Sequence, residues 1–211
     1  SLIWLQKLDI NLLSNLKWHP IPLPTIIELR NAFDELPWTN LISETLLMTF
    51  LAAGIAIGTP PLGITIWPTK IGMTIQNYIW TLLRLIPPPL TALLLLLCTS
   101  PNIFVAAFAL GLQNLGVMGR LLKEKVEHQN NKLFEAIKSS GSGNSSNWLY
   151  GYLSPQSKSY LAYSAYRADV ILRETAVVGV VGGVGLGWQL QESLSSFDWA
   201  QIVLITTCYS S

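Results

Sequence analysis

The chain has 211 residues, of which half are apolar and only 12% charged, with a formal net charge of +1 and a mean hydropathy of +0.41. A soluble domain carries roughly a quarter of its residues as charges, so this composition excludes the ordinary water-soluble class and points to the bilayer. The near-neutral balance also excludes nucleic-acid binding through a general basic field, which needs clustered Lys and Arg on an exposed face.

The first forty or so residues hold Trp4, Trp18, Pro20, Pro22, Pro24 and Trp38. That content suits a segment lying along the membrane interface, because Trp rings favour headgroup depth. Residues 1–43 are therefore expected to form an interfacial segment and residues 44–211 a transmembrane domain. No signal peptide with a basic n-region stands at Ser1, and an anchoring helix upstream is expected.

A hydrocarbon core about 30 Å thick needs about 20 helical residues at 1.5 Å each. Leu46 to Trp67 meets that length without a charge; its Pro60-Pro61 pair would break a soluble helix but can be accommodated in a packed bundle. Leu85 to Leu122 is uncharged except for Arg120, and the turn signal Thr99-Ser100-Pro101-Asn102 divides it into a second and a third span. Tyr160 to Gly187 is the fourth. Trp199 to Tyr209 begins a fifth that is too short to cross alone.

Between the third and fourth spans the chain is polar and basic, with Arg120, Lys123, Lys125, Lys132, Lys138 and Lys158, whereas nothing after Arg173 is basic. The bias of Lys and Arg places this loop, residues 123–158, in the cytoplasm. Alternation then puts the turn near Pro101 outside, the segment around Lys70 inside and the N-terminal segment outside. Within the loop, Leu133, Phe134 and Ile137 fall on one side of a short amphipathic helix that exposes Glu135 and Lys138, a shape that can dock in a groove. Gly141 lets the chain turn out of that helix with positive φ. Pro155 marks the start of the next element.

The fourth span carries Arg167, Asp169, Arg173 and Glu174. At the bilayer centre each charge costs about 2.5 to 3.5 kcal/mol, roughly 10 to 14 in all, while a dozen aliphatics return about 0.5 each. The charged sides must therefore face protein or water. Asp169 and Arg173 share one face at i, i+4 with the acid first, the favourable order for a local ion pair. Arg167 and Glu174 share the opposite face about 10 Å apart along the axis. That separation predicts no direct pairing between them, only partners from other helices, water or substrate. Guanidinium matches phosphorus oxyanions bidentately, so Arg167 is the candidate to line a route for such an anion, with Glu174 moderating its field; interhelical structural pairing fits equally.

Cys98, Cys208, His19 and His128 stand at no ligand spacing, and no metal site is expected. The Gly-rich run ending Gly183-Val184-Gly185-Leu186-Gly187 lacks the dinucleotide fingerprint; small residues there permit close helix approach or a bend. No G-x-S-x-G and no Walker A loop is present, so the chain is not expected to be an enzyme.

Against this background the stretch ETLLMTFLAAGIAIGTPPLG, from Glu44 to Gly63, resembles the first core helix of phosphonate-type permeases of the ABC importers. Leu83-Arg84-Leu85-Ile86-Pro87 resembles the entry to that family's second core helix, and ALGLQNLGVMGRLLKEKVE, from Ala109 to Glu127, its third. Tyr166-Arg167 through Arg173-Glu174, followed by Val177 to Gly187, is similar to the fourth, so the resemblance covers residues 44 to 199. The loop residues Glu135-Ala136, Gly141 and Leu153-Ser154-Pro155 resemble the loop at which such permeases receive force from an ATPase.

The resemblance implies an all-α membrane protein with a type I permease core of about five transmembrane helices, the last truncated, in the bacterial plasma membrane. It implies an ATPase-coupling role for Leu133, Phe134, Glu135, Ala136, Ile137, Gly141, Leu153 and Pro155. It also implies partners: two ABC ATPase subunits that bind the ATP, an external substrate-binding protein and a second permease subunit. The chain itself would hold no cofactor, and its cargo would be phosphonate, phosphite or a related phosphorus oxyanion. Two departures stand out. Ser154 is inserted where the family closes its motif with Leu-Pro, and residues 139–147 are a run of weak helix formers where the family has a second short helix. A permease for another small solute such as an amino acid shares the same loop, and the departures suit a truncated, non-transporting paralogue.

Overall fold

The computed structural model describes residues 23–67, 69–128 and 132–210, and every regular element among them is helical. Trp4, Trp18, His19, Pro20 and Pro22 lie outside the described residues.

Helix α1, Ile26–Glu35, starts at a capping box in which the Thr25 hydroxyl accepts from the Glu28 amide and the Glu28 carboxylate accepts from the Thr25 amide. Helix α2, Trp38–Ile66, is longer than the first span read from the sequence and runs through both Pro60 and Pro61; position 43/44 falls inside it. Helix α3, Lys70–Leu85, begins at Thr69, whose hydroxyl accepts from the Gly72 amide. It meets α4, Pro88–Leu96, at a bend of 91°. The second span thus differs from the expectation: nine residues of α4 rise only about 14 Å, and any crossing there needs α3 as its first limb.

Helix α5, Ile103–Glu127, is the centre of the bundle and packs against α2, α3, α4 and α8. Two short helices follow, α6, Lys132–Ser139, and α7, Asn144–Trp148, then a π-helical turn at Leu149–Leu153. Helix α8, Ser154–Gly182, carries Pro155 in its first turn, where the missing amide is no loss. Helix α9, Gly185–Ser196, follows after a bend of 62°, and α10, Trp199–Ser210, closes the described chain. Among the described residues two helices, α2 and α5, are long and apolar enough to cross a bilayer, or up to four spans if each bent pair counts as one. The 12 residues of α10 rise about 18 Å and fall short.

Close approach explains the packing. Ala52 and Ala56 of α2, Ala92 of α4 and Ala106, Ala107 and Ala109 of α5 form one buried cluster with Met48, Leu110, Ile171 and Val178. Small side chains let helix backbones come together where lipid supplies no hydrophobic drive between helices. Nearer the loop, Trp80 of α3 lies so close to Gly119 of α5 that a Cβ there would stand 2.4 Å from the indole. Outside this core the surface is apolar, with Phe50, Leu62, Ile66, Leu97, Phe104 and Leu161 all largely exposed. A soluble monomer hides such a surface; a bilayer covers it.

The Gly-rich run is the break between α8 and α9. Gly183 and Gly185 adopt φ of +66° and +69°, which Gly reaches without a Cβ penalty. The Val184 cap provides no side-chain acceptor, so α2 caps α9 across the fold: Glu44 accepts from the Gly185 amide (2.9 Å) and Thr45 from the Leu186 amide (3.0 Å).

Candidate functional site

Two groups of residues carry the chemistry read from the sequence, one halfway along the bundle and one at its loop end. Halfway along, Asn114 of α5 is fully buried and sits between two charges of α8. Its amide nitrogen donates to the Glu174 carboxylate (2.8 Å) and to the Leu110 carbonyl (2.9 Å), while its oxygen accepts from the Arg167 guanidinium. Arg167 and Glu174 also pair directly at 3.6 Å, with side chains 13% and 28% exposed.

The expectation that these two could not meet is therefore corrected. Seven residues return a helix to within about 20° of the same azimuth, and two long side chains leaning toward one another close the axial gap. The expected partner from another helix is present as well, in Asn114. Burial of a charge requires a pairing of this kind. Nothing in the pattern around Gln113-Asn114 marked the asparagine, because its partners lie 53 and 60 residues away in sequence.

Asp169 and Arg173 form the local ion pair at 3.2 Å on the outer face of α8, where both remain more than half exposed. They are not part of the cluster around Asn114.

At the loop end, α6 turns Phe134 and Ile137 partly inward and leaves Leu133, Glu135, Ala136 and Lys138 exposed. Phe134 packs against Trp148 and Tyr152, with ring centroids 5.7 and 4.5 Å away, and the latter two rings stand 4.6 Å apart. Such contacts seat a helix on a specific surface. Burial, with the Glu135 carboxylate nearby, raises the Tyr152 hydroxyl above its ordinary pKa of 10.0 and keeps it neutral. Leu133, expected on the apolar face, is instead exposed. Gly141 takes φ +78° and has open space around it.

The Ser-rich run is more ordered than its composition suggested. The Ser140 and Ser142 hydroxyls donate to the Ile137 carbonyl (2.6 and 2.9 Å) and Ser139 to the Glu135 carbonyl (2.7 Å), occupying acceptors at the end of α6. Asn147 donates back to the Ser142 carbonyl (3.3 Å). These residues are poor in helix interiors because they compete for backbone groups, and here that competition ends one helix and leads into the next. A second short helix, α7, does form. Leu153 is buried in the core just before α8, and Ser154 opens that helix ahead of Pro155.

No protein-family model matches the chain. It is 30% identical over 138 residues to a protein of Stutzerimonas stutzeri described as a phosphite transport system permease, covering 65% of this chain and 53% of that one. It is 29% identical over 159 residues to a phosphate-import permease of Mycolicibacterium smegmatis, covering 73% and 30%. The chain thus spans about half or less of the length of these two relatives. Against a protein of Escherichia coli K12 described as a cryptic phosphonate transport system permease it is 34% identical over 93 residues, covering 44% of this chain and 76% of that one. Among solved structures, an amino acid ABC transporter with histidines superposes with a TM-score of 0.65 at 21% identity, over 87% of this chain and 88% of that one. That likeness shows the fold.

Proposed function

The chain belongs to the phosphonate-type permease family of the ABC transporters, and from that premise we propose that it forms the membrane pathway of an ATP-driven importer for phosphonate, phosphite or a related phosphorus oxyanion. Three relatives are described as carrying phosphite, phosphate or phosphonate, which is one substrate chemistry. In this reading the bundle crosses the bacterial plasma membrane several times with residues 123–158 in the cytoplasm. A second copy of the chain, two ATPase subunits and an external binding protein complete the machine, and ATP is hydrolysed by the partner subunits.

One observation carries most of this reading: α6 is seated by Phe134 on an aromatic platform at the end of an apolar bundle and presents Leu133, Glu135 and Ala136 outward. A helix held on one side and bare on the other can transmit a push. Gly141, Leu153 and Pro155 belong to the same coupling loop, whose turn and exit they shape. Midway along the bundle, Arg167 supplies the fixed positive charge that an anion needs in a low-dielectric path. Asn114 and Glu174 already engage it, so an incoming oxyanion would exchange with Glu174 rather than meet a bare cation, which limits how tightly it is held. Asp169 and Arg173 satisfy each other on the exposed face.

Uptake of radiolabelled phosphonate by cells expressing the complete transporter tests the proposal. Unlabelled phosphite or phosphate should compete, and an amino acid should not. Competition by the amino acid alone would assign the chain a different cargo, and no uptake beside an intact, assembled complex would support the non-transporting reading.

A further inference from the structure

Helix α2 has a double gap in its hydrogen-bond ladder. Proline has no amide hydrogen, so Pro60 and Pro61 leave the Ala56 and Ile57 carbonyls without their i+4 donors. In a bilayer such an acceptor must find a donor inside the protein. The Ile57 carbonyl finds one 103 residues away in sequence: the Tyr160 hydroxyl of α8 donates to it at 2.7 Å.

The location of that donor is what matters. Tyr160 lies less than two turns after Pro155, at the end of α8 that emerges from the coupling loop. It belongs to one buried cluster with Tyr152 and Leu153 of the loop and Ile64 of α2, and Phe134 of α6 packs against the same cluster. Beside the bond, an open surface groove of about 360 Å³ is lined by Ile57, Pro61, Leu122, Leu153, Tyr160 and Leu161, almost wholly by apolar atoms. The weakened point of α2 therefore has a hydroxyl repairing it, a groove rather than a packed helix on one side of it, and a packed connection to the loop.

Resting on the permease reading above, we propose that Tyr160 is a positioning residue that couples the loop to a hinge of α2 at Pro60-Pro61. Motion of α6 shifts the aromatic platform and the start of α8, and the Tyr160 hydroxyl carries that shift to the Ile57 carbonyl. The helix bends there because the ladder cannot resist, and the adjoining groove places no packed helix against the bend.

The test uses the full chain assembled with its ATPase and binding protein, spin labels at the exposed positions Phe50 and Ile66 on either side of the prolines, and uptake measured per ATP hydrolysed. Tyr160→Phe keeps the ring and deletes the hydroxyl; it should broaden the distance distribution between the labels and lower uptake per ATP about three- to tenfold, the size of one net hydrogen bond. Pro61→Ala restores an amide donor to the Ile57 carbonyl. In that background, adding Tyr160→Phe should change neither readout, a rescue that a merely space-filling tyrosine would not show. The inference is overturned if Tyr160→Phe leaves both readouts at wild type, if it broadens the distances without altering uptake per ATP, or if its effect is equal with Pro61 and with Pro61→Ala. A wild-type complex that carries no phosphorus oxyanion overturns the permease reading; the hinge is then read from the label distances alone, and it stands only if Tyr160→Phe broadens them with Pro61 and not with Pro61→Ala.

Discussion

Asn114 occupies a demanding position, because a fully buried amide mediates between a guanidinium and a carboxylate of another helix. Asn114→Leu should leave both charges short of a hydrogen bond and cost about 1 to 3 kcal/mol, read as a lower unfolding midpoint in detergent. Arg167→Gln separates structure from transport. If Arg167 lines the route, uptake per assembled complex should fall at least about tenfold in this variant, on the scale of one charge-assisted hydrogen bond; normal uptake per assembled complex would remove it from the pathway. The charged members of this site were legible from the sequence because ionised residues in an apolar span are costly and must be used. The direct pairing of Arg167 with Glu174 was not, since axial rise alone neglects the reach of two long side chains. Asn114 was invisible for a different reason: a polar residue in a run of small and apolar ones has no periodic signal, and only the packing of α5 on α8 reveals its partners.

Among the elements, α9 depends on a distant helix for its start. Glu44 and Thr45 occupy the first amides of α9, and a carboxylate at a helix N-terminus is favoured by the aligned peptide dipoles as well. Thr45→Val preserves shape and removes the acceptor for the Leu186 amide. It should cost about 1 kcal/mol, as the loss of a cap does, and accelerate amide exchange at the start of α9 relative to the rest of the protein; unchanged exchange there would mean that the turn holds α9 without α2. The long apolar helices α2 and α5 were readable from length and charge alone. Helix α3 was not, because its interior Gln76 and Asn77 and its terminal Arg84 look like connecting sequence unless Trp80 is known to lie against Gly119. The Ser-rich segment misled in the same way. Composition argued against structure, whereas the hydroxyls of Ser139, Ser140 and Ser142 terminate α6 locally.

For the whole molecule, charge and grease are separated along the axis of the bundle. Arg120 and Lys123 are paired one turn away with Glu124 and Glu127 at the loop end of α5, and Lys125, Lys132, Lys138 and Lys158 are exposed around it, while the belt between the ends is mostly apolar, its exposed charges on α8 being the mutually paired Asp169 and Arg173. The proposed orientation, with this end in the cytoplasm, follows the bias of Lys and Arg toward cytoplasmic loops. Both native cysteines, Cys98 and Cys208, are free and exposed, so they must be replaced before labelling. With that done, a cysteine at Lys138 should react with a membrane-impermeant maleimide only in inside-out vesicles; reaction in right-side-out vesicles would invert the topology and remove the loop from any cytosolic motor.

The claim on which the rest depends is that residues 132–156 are gripped by an ATPase, and its most direct measurement is affinity purification of the full chain co-expressed with the ATPase of its transporter. The wild-type chain should retain the ATPase. The pair Glu135→Ala with Gly141→Val should lose it, the second change because a β-branched residue is strained at φ +78°, while the bundle keeps its helical content. A wild-type chain that captures no ATPase, or a variant pair that captures it undiminished, would contradict the account.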